Sequence, residues 1–162
     1  RFFVDAIDSI LEKTPGIKKI TINAEGAGTL GYVKYNSDNF KYTYTKKELQ
    51  NIVCSCLGGM CNEIVYLGEH ESGNTHDLAH ASDVVKNMIT KYGMSNLGLY
   101  TYTDATDVNK YIANEANKIL AECYERTIKL LEQNKDKTKI AIDYLLKNKE
   151  IDEDEFVKCM EK

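Results

Sequence analysis

The apolar positions of this chain fall mostly at helical spacing. Phe3, Ala6, Ile7, Ile10 and Leu11 share one face of a predicted helix over residues 2–12, which Pro15-Gly16 ends. The pattern then turns to alternation. Lys18–Asn23 reads as a short strand with Ile20 and Ile22 on one side. Leu30–Tyr35 reads as the returning strand beyond the turn Glu25-Gly26-Ala27-Gly28, and Phe40–Tyr44 as a third strand. Thr45-Lys46-Lys47-Glu48 has the form of a capping box, so a helix is predicted from there to about Tyr66. Gly58-Gly59 inside it costs ~1 kcal/mol each relative to Ala, which makes sense where another helix approaches closely. After a loop at Gly68–Asn74, the stripe Leu78, Ala81, Val85, Met88 and Ile89 predicts a helix over Thr75–Lys91, with Gly93 able to end it. Asn96–Thr103 is less periodic and reads as irregular. The longest helix is predicted over Asp107–Gln133, with Ile112, Ala116, Ile119, Leu120, Cys123, Ile128 and Leu131 as its stripe. Two shorter helices follow, Thr138–Lys147 and Asp152–Glu161, with Asp152 and Glu155 as cap and capping partner of the last.

These elements predict one domain over residues 1–162, mainly α with a small β element near the N-terminus. Repeats and low-complexity tracts are not seen. Composition agrees: 43% apolar and 28% charged residues suffice for a packed core. The net charge of −4 is spread along the chain with no basic stripe, which argues against a nucleic-acid partner. No apolar run approaches the ~20 residues of a membrane span, and no secretory leader is read. The chain begins at Arg1, in the middle of an apolar pattern, so it is expected to be a piece of a longer protein.

Candidate chemistry is sparse. Five cysteines (Cys54, Cys56, Cys61, Cys123 and Cys159) lack the paired CxxC spacing of a zinc ribbon. Cys54 and Cys61 share a helix face, and small core residues in a reducing compartment is the reading they favour. His76-Asp77-Leu78-Ala79-His80 reads HDxxH, two His four apart on a helix with an acidic residue beside the first. It is the sole two-His pattern, since the remaining His is His70. Against it, surface histidines on helices are common, and Asp is shorter than the Glu that normally reaches a metal-bound water. Glu25-Gly26-Ala27-Gly28 reads as a turn rather than a phosphate cradle, because no helix start follows. The tyrosines Tyr32, Tyr35, Tyr42, Tyr44, Tyr100 and Tyr102 read as half-buried strand residues.

The order of segments resembles the peptidase domain of FtsH-type proteases. Lys18-Lys19-Ile20-Thr21-Ile22 resembles that family's "hKvTI" strand, and Thr29-Leu30-Gly31-Tyr32 its "ALGY" strand. Tyr44-Thr45-Lys46-Lys47-Glu48-Leu49 resembles "yskeeL". Leu57-Gly58-Gly59, then Glu63-Ile64-Val65-Tyr66 and Gly68-Glu69, resemble "LGGRaAEEivfGe". Ser72-Gly73-Asn74-Thr75-His76-Asp77-Leu78 resembles "tGAqnDL", and Met88-Ile89-Thr90-Lys91-Tyr92-Gly93-Met94-Ser95 resembles "MVteyGMS". Ala121-Glu122-Cys123-Tyr124-Glu125-Arg126 resembles "eAYeRA"; Asn134–Lys137, Leu145-Leu146 and Glu150–Asp152 resemble the final helices. The resemblance covers nearly the whole chain in order.

The resemblance implies a helical peptidase domain fused to a membrane-anchored AAA+ ATPase module. Such a protein works as a homo-hexamer on the cytoplasmic side of a membrane and cleaves protein and peptide substrates at Zn²⁺. This chain has no GxxxxGK(S/T) loop to hold ATP, so that module is not in it. The implied chemistry needs HExxH on the first helix, and the resemblance maps the third metal ligand onto Asp77. The HExxH itself does not map. Aligned backwards from Thr21-Ile22 with one residue deleted, Arg1-Phe2-Phe3-Val4-Asp5 takes its place, and without a gap it fails as well. Two explanations stand: the motif lies just upstream, or the domain has lost it and is a pseudoprotease or hexameric scaffold. The retained Asp77 points to the first, and Met60, where the family usually has Arg, to divergence. In family register His76 and His80 fall at variable positions. The resemblance also makes Thr29, Leu30, Gly31 and Tyr32 an edge strand able to receive an extended substrate; an ordinary hairpin is the plainer alternative. Glu63 matches a family acidic position and is expected to form a structural ion pair.

Overall fold

The computed structural model describes residues 17–22, 32–35, 42–99, 101 and 109–161; the helix predicted over residues 2–12 lies outside them. The elements run β1 (Ile17–Thr21), β2 (Tyr32–Tyr35), α1 (Lys46–Leu67), a 3-10 turn (Ser72–Asn74), α2 (Thr75–Thr90), α3 (Asn109–Gln133), α4 (Lys135–Asn148), β3 (Glu150–Asp152) and α5 (Glu153–Met160). The architecture is mainly α with a small antiparallel sheet. The chain packs as two compact units. One takes in Thr43–Lys129, and the other joins the β1–β2 segment to the residues from Leu130 onward.

In the first unit, α1 starts at a complete capping box. The Glu48 N–H donates to Thr45 Oγ1 at 3.3 Å, and the Thr45 N–H donates to Glu48 Oε2 at 2.8 Å. Two of the free N–H groups of a helix start are thereby satisfied. One face of α1 buries Leu49, Val53, Cys54, Leu57 and Cys61. The helix stops at Gly68, whose φ of 87° is open to glycine without strain. α2 packs against α1 and buries Ala81, Val85, Met88 and Ile89. Leu78, predicted as the first residue of that stripe, is exposed; burial begins one turn later, at Ala81. Beyond α2, Gly93 takes φ 61°, and the Met94 N–H returns to the Met88 carbonyl at 2.9 Å. A Cβ on Gly93 would meet the Leu99 backbone at 3.3 Å, so a close approach as well as the turn requires glycine there. Residues 96–99 and 101 form neither helix nor strand.

α3 buries a line at every fourth residue: Glu115, Ile119, Cys123, Thr127 and Leu131. Two of its five members are polar, and both are satisfied. Glu115 Oε1 accepts the Asn96 N–H at 2.9 Å, and Thr127 Oγ1 donates to the Cys123 carbonyl at 2.8 Å. The apolar stripe of the sequence missed both, because it assumes that buried positions are apolar.

In the second unit the sheet order is β2-β1-β3, with both pairings antiparallel. Ile20 of β1 stands opposite Ile151 of β3, and both are fully buried. They form a core with Ala141, Leu145, Phe156 and Cys159. Lys19 Nζ meets Glu150 Oε1 at 2.7 Å beside that pairing. α5 begins at the predicted capping box, with the Glu155 N–H donating to Asp152 Oδ1 at 2.8 Å and the Asp152 N–H to Glu155 Oε2 at 3.0 Å.

Three expectations change. Residues 42–44 are not strand; Tyr42 is 92% exposed and Tyr44 is exposed too, while Phe40 and Lys41 lie outside the described residues. They pair with no strand among the described residues. α4 starts at Lys135 rather than Thr138, because the Thr138 hydroxyl bonds back to the Asn134 carbonyl at 2.8 Å instead of capping. β3 was not predicted at all; only its pairing with β1 makes it a strand.

Candidate functional site

The loop between α1 and α2 sets the start of the helix that carries the candidate residues. Glu63 Oε2 accepts the Glu71 N–H at 2.9 Å and Asn74 Nδ2 at 3.0 Å. Asn74 Nδ2 also reaches the Glu71 carbonyl at 3.2 Å, and Thr75 Oγ1 donates to the Ser72 carbonyl at 2.8 Å. Asn74 is buried. Among the described residues Glu63 therefore works through hydrogen bonds to a loop rather than through the ion pair expected of it. The sequence signal for Asn74 was its place just before an amphipathic run, a usual position for a residue that closes a helix start.

Asp77 sits half-buried in the first turn of α2. His76 and His80 lie on the same helix and are exposed. His70 lies in the loop, with Nδ1 3.3 Å from the Glu71 carbonyl. A hydrolytic zinc centre takes three protein ligands and keeps an open position for water. Among the described residues no three His, Cys, Asp or Glu side chains come together as a metal-holding group. The cysteines do not supply one. All five are buried free thiols. Cys54 Sγ donates to the Cys123 carbonyl at 3.6 Å, and Cys123 Sγ donates to the Gln50 carbonyl at 3.8 Å. Burial, with the neighbouring Cys54 adding to it, pushes the Cys61 thiol up to about 12. The hydrogen bond with Cys54, and then burial, pushes Cys123 up as well. Metals bind the thiolate, which these surroundings disfavour. The donor set of the described residues does not fit a catalytic zinc.

The proposed substrate strand is described only in part. Thr29, Leu30 and Gly31 lie outside the described residues. Tyr32 opens β2, which pairs with β1 on one side and with no described strand on the other. Tyr100 and Tyr102 also lie outside the described residues.

Comparison with known proteins adds a lineage. The family model described as peptidase family M41 matches residues 6–159. The match begins at Ala6, directly after the five residues that take the HExxH positions in the register above. The chain is 28% identical to ATP-dependent zinc metalloprotease FtsH 1 of Petrotoga mobilis, over 94% of this chain and 26% of that protein. It is 28% identical to ATP-dependent zinc metalloprotease FtsH of Bacillus subtilis, over 90% of this chain and 26% of that protein. With the protein of the same name from Aster yellows witches'-broom phytoplasma it shares 33% identity, over 80% of this chain and 20% of that protein. The chain thus spans 20–26% of the length of these relatives.

Proposed function

This chain belongs to peptidase family M41, and on that premise we propose that it is a catalytically inactive member, a pseudoprotease domain that has lost HExxH. Its role is that of a scaffold in a homo-hexameric ring, where it handles protein or peptide substrates delivered by an AAA+ ATPase module. The observation that carries this reading is the pentapeptide Arg1-Phe2-Phe3-Val4-Asp5 in the register of the motif. A guanidinium has no lone pair to give a metal, and a phenyl ring cannot take a proton from water. The absence of a three-donor group among the described residues supports it. By family resemblance the ring stands at the cytoplasmic side of a membrane. None of the described helices is long and apolar enough to cross one.

A second reading is favoured by one residue. Asp77 stands where the resemblance puts the third ligand of an active zinc endopeptidase. In that reading HExxH lies upstream of Arg1, and the domain degrades unfolded or membrane proteins. The zinc would supply an activated water; Asp77 would help to hold it.

Incubation of the intact protein with ATP and an unfolded casein separates the two. The scaffold reading predicts ATP-dependent retention of casein with no acid-soluble peptides. Peptide release that a zinc chelator stops would overturn it.

A further inference from the structure

We propose that His76 and His80 form a two-imidazole surface site for a divalent transition-metal ion of the copper–zinc class. The site is separate from the peptidase chemistry and does not depend on whether that chemistry survives.

The geometry starts from α2. Residues four apart on a helix are neighbours, with Cβ atoms roughly 5–6 Å apart. That spacing lets two imidazoles converge on one ion at about 2.0–2.1 Å from each nitrogen. Both histidines are exposed, so the ion and its remaining waters have room. Among the described residues neither ring has a hydrogen-bond or ion-pair partner to give up. His70 is exposed as well but differs on the other two counts, since it lies in the loop and its Nδ1 faces the Glu71 carbonyl.

The first turns of a helix ordinarily fray, which would blunt a chelate built there. Here the loop before them is held. Glu63 fixes Asn74, and the Thr75 hydroxyl donates to the Ser72 carbonyl, immediately before His76, although no side chain caps the N–H groups of this helix start. The loop leading into the helix is therefore tied down before metal arrives. The positive end of the helix dipole opposes a cation at this end. Exposed Asp83, three residues beyond His80, adds a negative charge that offsets it. Two protein ligands leave the ion largely hydrated, which suits a clip across two turns of α2 rather than a hydrolytic centre. Imidazole nitrogen suits both ions, and copper(II) binds such sites more tightly than zinc, so copper is the sharper probe.

The test is titration of the whole chain with Cu²⁺, followed by calorimetry and by the nitrogen hyperfine pattern in electron paramagnetic resonance. The proposal expects one equivalent with a two-nitrogen signature. His76→Ala and His80→Ala each leave one ligand and weaken binding on the order of 100-fold, the loss expected when a chelate becomes a single attachment. Both substitutions are at exposed positions, and circular dichroism verifies that the helix remains. His70→Ala leaves affinity unchanged. Undiminished copper affinity in His80→Ala, or its loss in His70→Ala, overturns the site. Neither result bears on casein cleavage, so this test and that of the pseudoprotease reading fail independently.

Discussion

Glu63, near the end of α1, accepts a hydrogen bond at 3.0 Å from the side chain of Asn74, the residue just before α2. The same carboxylate oxygen holds the Glu71 N–H. One side chain thus anchors the whole turn that leads into Asp77 and the two histidines. Glu63→Ala would leave the buried Asn74 amide short of an acceptor. The expected cost is about 1–3 kcal/mol, because an orphaned buried donor loses more than an average hydrogen bond contributes. Urea unfolding of the variant checks it, and an unchanged midpoint would show that the loop does not depend on Glu63.

Lys149 offers a gain in place of a loss. It ends α4 at φ 68°, in the left-handed region, with its N–H bonded to the Leu145 carbonyl at 2.7 Å. Its own carbonyl accepts the Ile22 N–H at 3.0 Å, so the conformation is held from both sides. A Cβ in that region costs roughly 1–2 kcal/mol. Lys149→Gly removes that cost and gives back part of it as chain entropy. A net gain of about 1 kcal/mol is expected, a rise in melting temperature of roughly 2–4 °C.

The buried thiols make stability depend on alkaline pH. Cys61 titrates at 9.0 in an ordinary setting and is raised to about 12 in the fold, chiefly by burial. Below pH 9 both states keep the proton, so this group adds no pH dependence. Between pH 9 and 12 the unfolded chain releases it while the folded chain retains it, and stability falls as pH rises. Cys61→Ala should flatten that part of the stability profile while lowering its plateau, through the lost packing of a fully buried side chain. Denaturation midpoints across that range measure the slope directly.

What the sequence made legible was local. The capping pairs Thr45–Glu48 and Asp152–Glu155 each act within one turn, and both form as expected. The helices they open were legible for the same reason. β3 was not, because Ile151 becomes a strand residue only by standing against Ile20, 131 positions away. Thr138 misled because a hydroxyl that can cap a helix can equally bond back within one. At the site, the shared helix of His76, Asp77 and His80 was readable from spacing. The Glu63 tether was not, since an acidic helix residue carries no sign of which loop will return to it. The mismatch at residues 1–5 was readable directly from chemistry: Arg1 cannot bind zinc and Phe2 cannot act as a base, although Asp5 carries a carboxylate.

The most direct measurement of the central claim is casein hydrolysis by the intact protein beside its Asp77→Ala variant, with ATP and Zn²⁺ supplied to both. The pseudoprotease account predicts no peptide release from either. Release by the unsubstituted protein that Asp77→Ala abolishes would contradict it and place Asp77 in a working zinc peptidase.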